Sequence, residues 1–155
     1  MRADRLRYVV GSAGLTGLRE EVDFVFSRAV LEHVNDLEAT FADMVAALRP
    51  GGTAIHQVDL RSHGQHRNNP LDFLRWSPRL WGWMHSAKGV PNRWRIDVYR
   101  TILDRLPVHL LSIERTHQAP PEAVQTVRPQ LDALFADLSD EDLACLGFWV
   151  AFTRR

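Results

Sequence analysis

The stretch EVDFVFSRAVLEHVNDLEATFADMVAALRPGGTAIHQVDL, Glu21 to Leu60, reads as a strand, a polar corner, an amphipathic helix, a Pro-Gly-Gly stop and a second strand. Val22, Phe24, Val25 and Phe26 form a short apolar run of the kind expected for a strand buried on both faces. Asn35 or Asp36 can cap the helix, with Glu38 in its first turn where a carboxylate meets the positive end of the helix dipole. Leu37, Phe41, Met44, Val45 and Leu48 recur at helical spacing and make one apolar stripe. The helix is expected to stop at Pro50-Gly51-Gly52, because proline cannot continue it and glycine permits a positive φ. Thr53, Ala54, Ile55, Gln57 and Val58 suit the second strand. Strand, helix and strand in this order predict a parallel βαβ unit with a right-handed crossover.

Working outward, Leu6 to Val10 reads as a short strand ending at Gly11-Ser12-Ala13-Gly14, and Leu15 to Glu21 as a loop. Arg61 to Asn69 is a polar loop containing His63 and His66. A tryptophan-rich segment follows, with Leu74, Trp76, Leu80, Trp81, Trp83 and Met84 on one or two short helices, one of them capped at Ser77-Pro78. Asp97 can cap a helix through Asp104 with Val98, Ile102 and Leu106 near its apolar side, and Val108 to Glu114 alternates as a strand. Beyond Pro120-Pro121 the pattern gives helices around Glu122 to Arg128 and Pro129 to Leu138. Ser139 with Asp142 is a capping pair for a last short helix, and Gly147 to Thr153 is a closing strand.

The composition sets limits. A chain of 155 residues with 45% hydrophobic content can bury a core and is expected to form one domain. Nineteen basic residues balance nineteen acidic ones, so no global field favours nucleic acid or an anionic membrane. Cys145, the single cysteine, cannot form an intrachain disulfide, which points to a reducing, cytoplasmic compartment. No apolar run is long enough to span a bilayer, and no signal peptide is evident.

Two segments carry a family resemblance. FSRAVLEHV, Phe26 to Val34, resembles the segment after the fourth strand of class I S-adenosylmethionine-dependent methyltransferases, and LRPGG, Leu48 to Gly52, resembles the turn before their fifth strand. The later DLRSH, PNRWR and DLSDEDLACLGFWVAF segments are similar to a bacterial methyltransferase-like group with an aromatic lid. The resemblance implies an α/β fold: an incomplete Rossmann-like methyltransferase sheet, mostly parallel with an antiparallel C-terminal strand, and helices on both faces. The chain is then one truncated domain, 1–155, with a lid-like insertion at about 61–95. It also implies S-adenosylmethionine as cofactor and a small-molecule acceptor.

In that family a Gly-x-Gly loop lets backbone amides approach the cofactor, and an acidic residue ending the next strand holds the ribose. Here no Gly-x-Gly lies between a strand and a helix, and Gly11-Ser12-Ala13-Gly14 resembles the family's third-strand end. Each lost hydrogen bond to a charged group costs roughly 1.5–3 kcal/mol. Losing the two ribose bonds would therefore weaken cofactor binding by roughly 10²–10⁴-fold, and the chain by itself is expected to bind the cofactor poorly.

The resemblance nominates Ser12, Ser27, Arg28 and Ala29 as cofactor-side residues, with Ser12 in place of the Asp that often meets the adenine amino group. His33, His56 and Asp59 are its acceptor-side candidates, of which His33 and Asp59 are candidates for catalysis. The plainer alternatives are a solvated corner charge for Arg28 and a structural hydrogen bond for His33. Strand alternation sets His56 and Asp59 on opposite faces, so they are not expected to work as a pair. His63-x-x-His66 lies in a loop without accompanying cysteines or a clear carboxylate, so no metal is expected there. Two classes of function remain: a methyltransferase completed by a further half, and a non-catalytic binding or oligomerising module. The second predicts that the Val22 strand pairs with Leu6 to Val10, is covered, or joins a complementing chain or a second copy through an exposed sheet edge.

Overall fold

The computed structural model describes Tyr8 and residues 16–64, 68–84 and 91–155, without the side chain of Met84. The expected Leu6 to Val10 strand, the Gly11 to Gly14 turn with Ser12, and His66 lie outside the described residues, as does Tyr8's strand pairing. The elements are β1 (Val22–Arg28), α1 (Leu37–Ala47), β2 (Leu48–Asp59), α2 (Pro78–Met84), α3 (Ile96–Arg105), β3 (Val108–Gln118), α4 (Pro121–Val127), α5 (Asp140–Ala144) and β4 (Cys145–Arg154).

The four strands form one sheet in the order β1-β2-β4-β3. β1 and β2 pair in parallel, and β4 runs antiparallel to both β2 and β3. Three strands thus point one way and the closing strand the other, which is the mixed Rossmann-like sheet that the family resemblance implied.

The crossover between the parallel strands follows from local chemistry. The Asp36 carboxylate accepts from the Ala39 amide at 2.8 Å and starts α1. Leu37, Phe41 and Val45 then fall on its buried stripe. The helix ends at Ala47, three residues before Pro50 rather than at it, because Leu48 is already extended (φ −65°, ψ 140°) and pairs with Val22. The Arg154 guanidinium donates to the Ala46 and Leu48 carbonyls and so occupies the acceptors that the helix end exposes. Between Leu48 and Thr53 the register slips, and Gly51 takes φ +78° to make the slip. A Cβ on Gly52 would lie 2.9 Å from the Arg49 carbonyl oxygen, so the second glycine is required by packing.

α1 and α3 share a core with one face of the sheet. Phe41, Val45, Tyr99, Ile102, Ala54, Val58, Phe148, Val150 and Phe152 are buried together. Phe41 meets Tyr99 edge to face at 6.1 Å, and Tyr99 meets Phe148 at 5.1 Å. The other face differs from expectation at β1, which was to be buried on both sides. Phe24 and Phe26 are 53% and 56% exposed, with stacked rings 6.5 Å apart, and Phe26 lies 6.3 Å from Trp149. The reason is positional: β1 is an edge strand among the described residues, and the helices that reach its core both come from the α1 and α3 side.

A second cluster gathers Leu71, Phe73, Leu74 and Trp81 against Val124, Val127, Phe135, Leu143 and Leu146. The Pro129 to Leu138 helix is replaced by two 3-10 turns, Arg128–Gln130 and Ala133–Phe135, the second capped by the Asp132 carboxylate at the Leu134 amide. Pro129 lacks the amide a continuing helix needs. α3 starts at Ile96, so Asp97 stands in its first turn instead of capping it, and Ile96, Tyr99, Ile102 and Leu103 form its buried side. That stripe differs from Val98, Ile102 and Leu106, because Val98 and Leu106 pack only at its margin.

Arg95 joins the two clusters. Its buried guanidinium donates to the carbonyls of Leu60 (2.9 Å), Leu143 (3.1 Å) and Cys145, and it lies 6.0 Å from the Phe73 ring centroid. Burial lowers its pKa to about 10, still far above neutrality. Each buried carbonyl left without a donor costs about 1–3 kcal/mol. The Arg95→Met variant is therefore expected to lose roughly 3 kcal/mol or more of stability, and Arg95→Lys to recover part of it, in urea unfolding at pH 7.

His56 lies in the first core between Phe41 and Phe152, at 6.1 and 5.9 Å, with Nδ1 2.8 Å from the Ser27 hydroxyl. Burial lowers its pKa from 6.5 to about 4. The unfolded chain binds this proton first, so the contribution is complete above pH 6.5 and is lost as pH falls towards 4. At about 1.4 kcal/mol per pH unit the loss reaches about 3 kcal/mol. His56→Gln keeps a partner for Ser27 and removes the titration. The stability difference between wild type and variant should shrink in favour of the variant from pH 7 to pH 4.5, and a constant difference would exclude His56 as the titrating group.

Candidate functional site

The carboxyl ends of the two parallel strands converge on one corner. β1 carries its ladder one residue further, with the Ala29 amide donating to the Gln57 carbonyl at 3.0 Å. Ala29 then adopts φ +52°, a left-handed conformation uncommon outside glycine. This turn directs the chain into a short 3-10 turn, Leu31–His33. Asn92 clamps that turn from across the fold: its amide donates to the Glu32 carbonyl, and its side chain donates to the carbonyls of Leu31 (2.9 Å) and Val34 (3.1 Å).

β2 ends at Asp59. Its carboxylate accepts from the Arg61 guanidinium at 2.6 to 3.1 Å and from the Arg61 amide at 3.0 Å. Burial works against its charge, and the Arg61 bonds outweigh burial and hold the carboxyl below its ordinary value. His63 at φ +49° and Gly64 at φ +89° reverse the chain, which brings the His63 ring 5.1 Å from the His33 ring and its Nε2 3.6 Å from Asp59 Oδ2. Glu32 is fully buried beneath this pair, and neither of its carboxylate oxygens has a hydrogen-bond partner. Burial raises its pKa, although the Glu32 and Asp59 amides lie near enough to favour the charge in part.

Two clefts open at this corner. One of about 180 Å³ is lined by Arg28, Ala29, Gln57, Asp59, Arg61 and Gly147 at the strand ends. The larger, about 420 Å³, has walls from His33, Trp81, Trp94, Arg93, Asp97 and Phe135. Arg93 braces this second cleft. It donates to the carbonyls of Phe73 (3.2 Å) and Trp76, and its guanidinium stacks 5.0 Å from Trp81 and 5.2 Å from Phe135.

The nominated residues separate accordingly. Ser27 is paired inward with His56, so both point to the core and away from the clefts. Arg28 lies on the exposed face, donating to the Gln57 side chain at 2.7 Å. Ala29, His33 and Asp59 remain at the strand ends, and Ser12 is outside the described residues. His56 and Asp59 do face opposite sides. Trp83 and Trp94 of the tryptophan-rich segment are exposed, at 75% and 43%. Reading the sequence gave no role to Asn92, Arg93 or Arg95, which hold the corner and the larger cleft. Their one visible signal was a run of hydrogen-bonding side chains, PNRWR, beside an aromatic segment.

Residues 8–106 match the family described as a methyltransferase domain. No curated protein matches the sequence. The fold is similar to an S-adenosylmethionine-dependent methyltransferase from Mesorhizobium loti, with TM-score 0.59 and 20% identity, over 93% of this chain and 67% of that one. It is similar also to geranyl diphosphate C-methyltransferase from Streptomyces coelicolor, with TM-score 0.59 and 15% identity, over 98% of this chain and 54% of that one. The cyclase SpnF shares the fold with TM-score 0.54 and 10% identity, over 98% of this chain and 57% of that one. At these identities the likeness is one of fold. This chain spans between about half and two thirds of the length of the three structures.

Proposed function

Since the chain belongs to the methyltransferase-domain family, we propose that it forms the acceptor side of an S-adenosylmethionine-dependent methyltransferase acting on a small molecule. The observation that supports this most directly is the position of the larger cleft. It opens beside His33, immediately after the carboxyl end of β1, where ligands of doubly wound sheets bind. At about 420 Å³ it falls within the roughly 300–1,000 Å³ of ordinary ligand pockets.

The strand-end cleft suits only part of a cofactor. Its ≈ 180 Å³ lies below that range, and Ser27 and Arg28 already have partners. The Ala29 turn and the Asp59 carboxylate fit the cationic methionine end of the cofactor, while the adenosine end needs residues beyond those described. Bound there, S-adenosylmethionine supplies an activated methyl group. The chain's own contribution is alignment: the Asn92 clamp fixes the turn that carries His33, the Arg93 braces fix the aromatic wall, and Trp81 and Trp94 line that wall. Transfer from a sulfonium is a displacement governed largely by alignment, and a base is required only where the acceptor must lose a proton. His33, on the wall of the larger cleft, is our candidate for that role.

A second reading keeps the chain as a non-catalytic binding or oligomerising module. The exposed Phe24 and Phe26 on an edge strand favour it, and the fold by itself does not fix methyl transfer.

Calorimetry with S-adenosylhomocysteine and with a panel of small hydroxyl, thiol and amine compounds, followed by transfer of radiolabelled methyl groups, tests the first reading. Cofactor-product binding weaker than micromolar is expected. Trp94→Ala should weaken acceptor binding about five- to tenfold, as loss of one aromatic contact does, and leave S-adenosylhomocysteine binding unchanged. Compounds that bind wild type and Trp94→Ala equally and receive no methyl group would favour the module.

A further inference from the structure

The geometry points to a binding site for one divalent transition-metal ion of the zinc type, formed by Glu32, His33 and His63 at the carboxyl ends of β1 and β2. One ligand atom from each of these residues lies within 4.8 Å of the other two. A tetrahedral zinc ion with bonds of about 2.0–2.1 Å brings its ligand atoms to about 3.3–3.5 Å from one another. The gap, at most about 1.5 Å, is within reach of side-chain rotation, because both imidazoles are at the surface.

The independent observation is the state of Glu32. A fully buried carboxylate normally has donors, since an unpaired buried charge is costly. Here both oxygens lack one, and one of them lies within 4.8 Å of a ring nitrogen of each imidazole. A cation between the three side chains would supply the missing partner. Two imidazoles and one carboxylate, with a position left open, is a donor set suited to zinc and its neighbours and not to calcium or magnesium, which take mainly oxygen ligands. Asp59, 3.6 Å from His63 Nε2, adds a second negative charge beside the ring, and Arg61 neutralises it in part.

The site is assembled by features that otherwise have no common purpose. The left-handed turn at Ala29 and the Asn92 clamp present Glu32 and His33, and the left-handed His63 returns its ring over them. Because His33 also lines the larger cleft, the open position faces the acceptor. There it could hold a hydroxyl or thiol and ease release of its proton to water, a use that rests on the methyl-transfer reading. Metal binding itself does not rest on it. The competing account is a buried hydrogen bond between a protonated Glu32 and Tyr99. The Tyr99 hydroxyl is likewise without a partner, and burial, then the charge of Glu32, raise its pKa.

The test is titration of the purified, chelator-treated full chain with Zn²⁺ by calorimetry and with Co²⁺ by visible absorption, with no methyl-transfer readout. One equivalent should bind with a Kd in the micromolar range or tighter, and Co²⁺ should give a visible band of a four-coordinate site. Glu32→Gln and His63→Ala should each weaken binding at least tenfold, while His109→Ala on exposed β3 and Tyr99→Phe leave it unchanged. Thermal unfolding without metal checks that each variant is folded. Absence of binding up to millimolar Zn²⁺, or binding that Glu32→Gln and His63→Ala leave intact, would overturn the site. A metal-independent loss of stability shared by Glu32→Gln and Tyr99→Phe, with no metal effect, would assign Glu32 to the hydrogen bond. Failure of methyl transfer with metal binding intact would count against the proposed enzyme alone.

Discussion

The buried Arg95 guanidinium is the constraint from which the architecture is best understood. It binds the Leu60, Leu143 and Cys145 carbonyls, which belong to the exit from β2, the end of α5 and the start of β4. Those three points must meet for β4 to insert antiparallel beside β2. A charged side chain in this position is expensive to desolvate, and three carbonyl acceptors with an aromatic face beneath offset that cost. Burial leaves the cation intact, since a pKa of about 10 keeps it charged at neutral pH. Arg95 also holds the junction between the aromatic cluster and the sheet core. The larger cleft lies along this junction, and its shape depends on that attachment.

Around this anchor the chain uses arginine repeatedly as a donor to backbone carbonyls. Arg93 satisfies Phe73 and Trp76, Arg128 satisfies Ala136 and Leu138, and Arg154 satisfies Ala46 and Leu48. These carbonyls lie in turns, short helices or at the junction of α1 and β2, where regular backbone pairing is interrupted. Arg115 and Arg100 instead converge on Asp142, tying β3 and α3 to α5. A balanced overall charge thus conceals a set of internal, directed cations, which explains why net charge predicted so little about the arginines.

The two sides of the sheet are unequal in the same physical terms. On the α1 and α3 side, aromatic and branched side chains close over His56 and keep its ring neutral. On the other, the exposed Phe24 and Phe26 and the half-buried Trp149 form an apolar aromatic row. Among the described residues no helix covers that row, and no helix is long and apolar enough to cross a membrane. The strand ends lie between these two environments, where backbone turns at Ala29 and His63 leave polar groups accessible beside a dry core.

The amino-acid sequence by itself determined the βαβ unit, a cap at Asn35 or Asp36 and the closing strand, because each rests on neighbours within a few residues. Periodicity, capping and glycine geometry are local properties and can be read in order along the chain. The burial of β1 was misjudged for the complementary reason: an apolar run shows what can be buried, and only the layers around it decide what is. The end of α1 and the loss of the Pro129 to Leu138 helix likewise depended on strand pairing and on capping by Asp132. The corner was partly legible, since Ala29, His33 and Asp59 follow from strand ends, whereas Ser27 and His56 were turned inward by the core. Glu32, His33 and His63 could not be associated in advance, as about thirty residues separate the pair from its partner. Only the parallel pairing of β1 with β2, held where the chain leaves β2 by Arg95, brings those three side chains to one place.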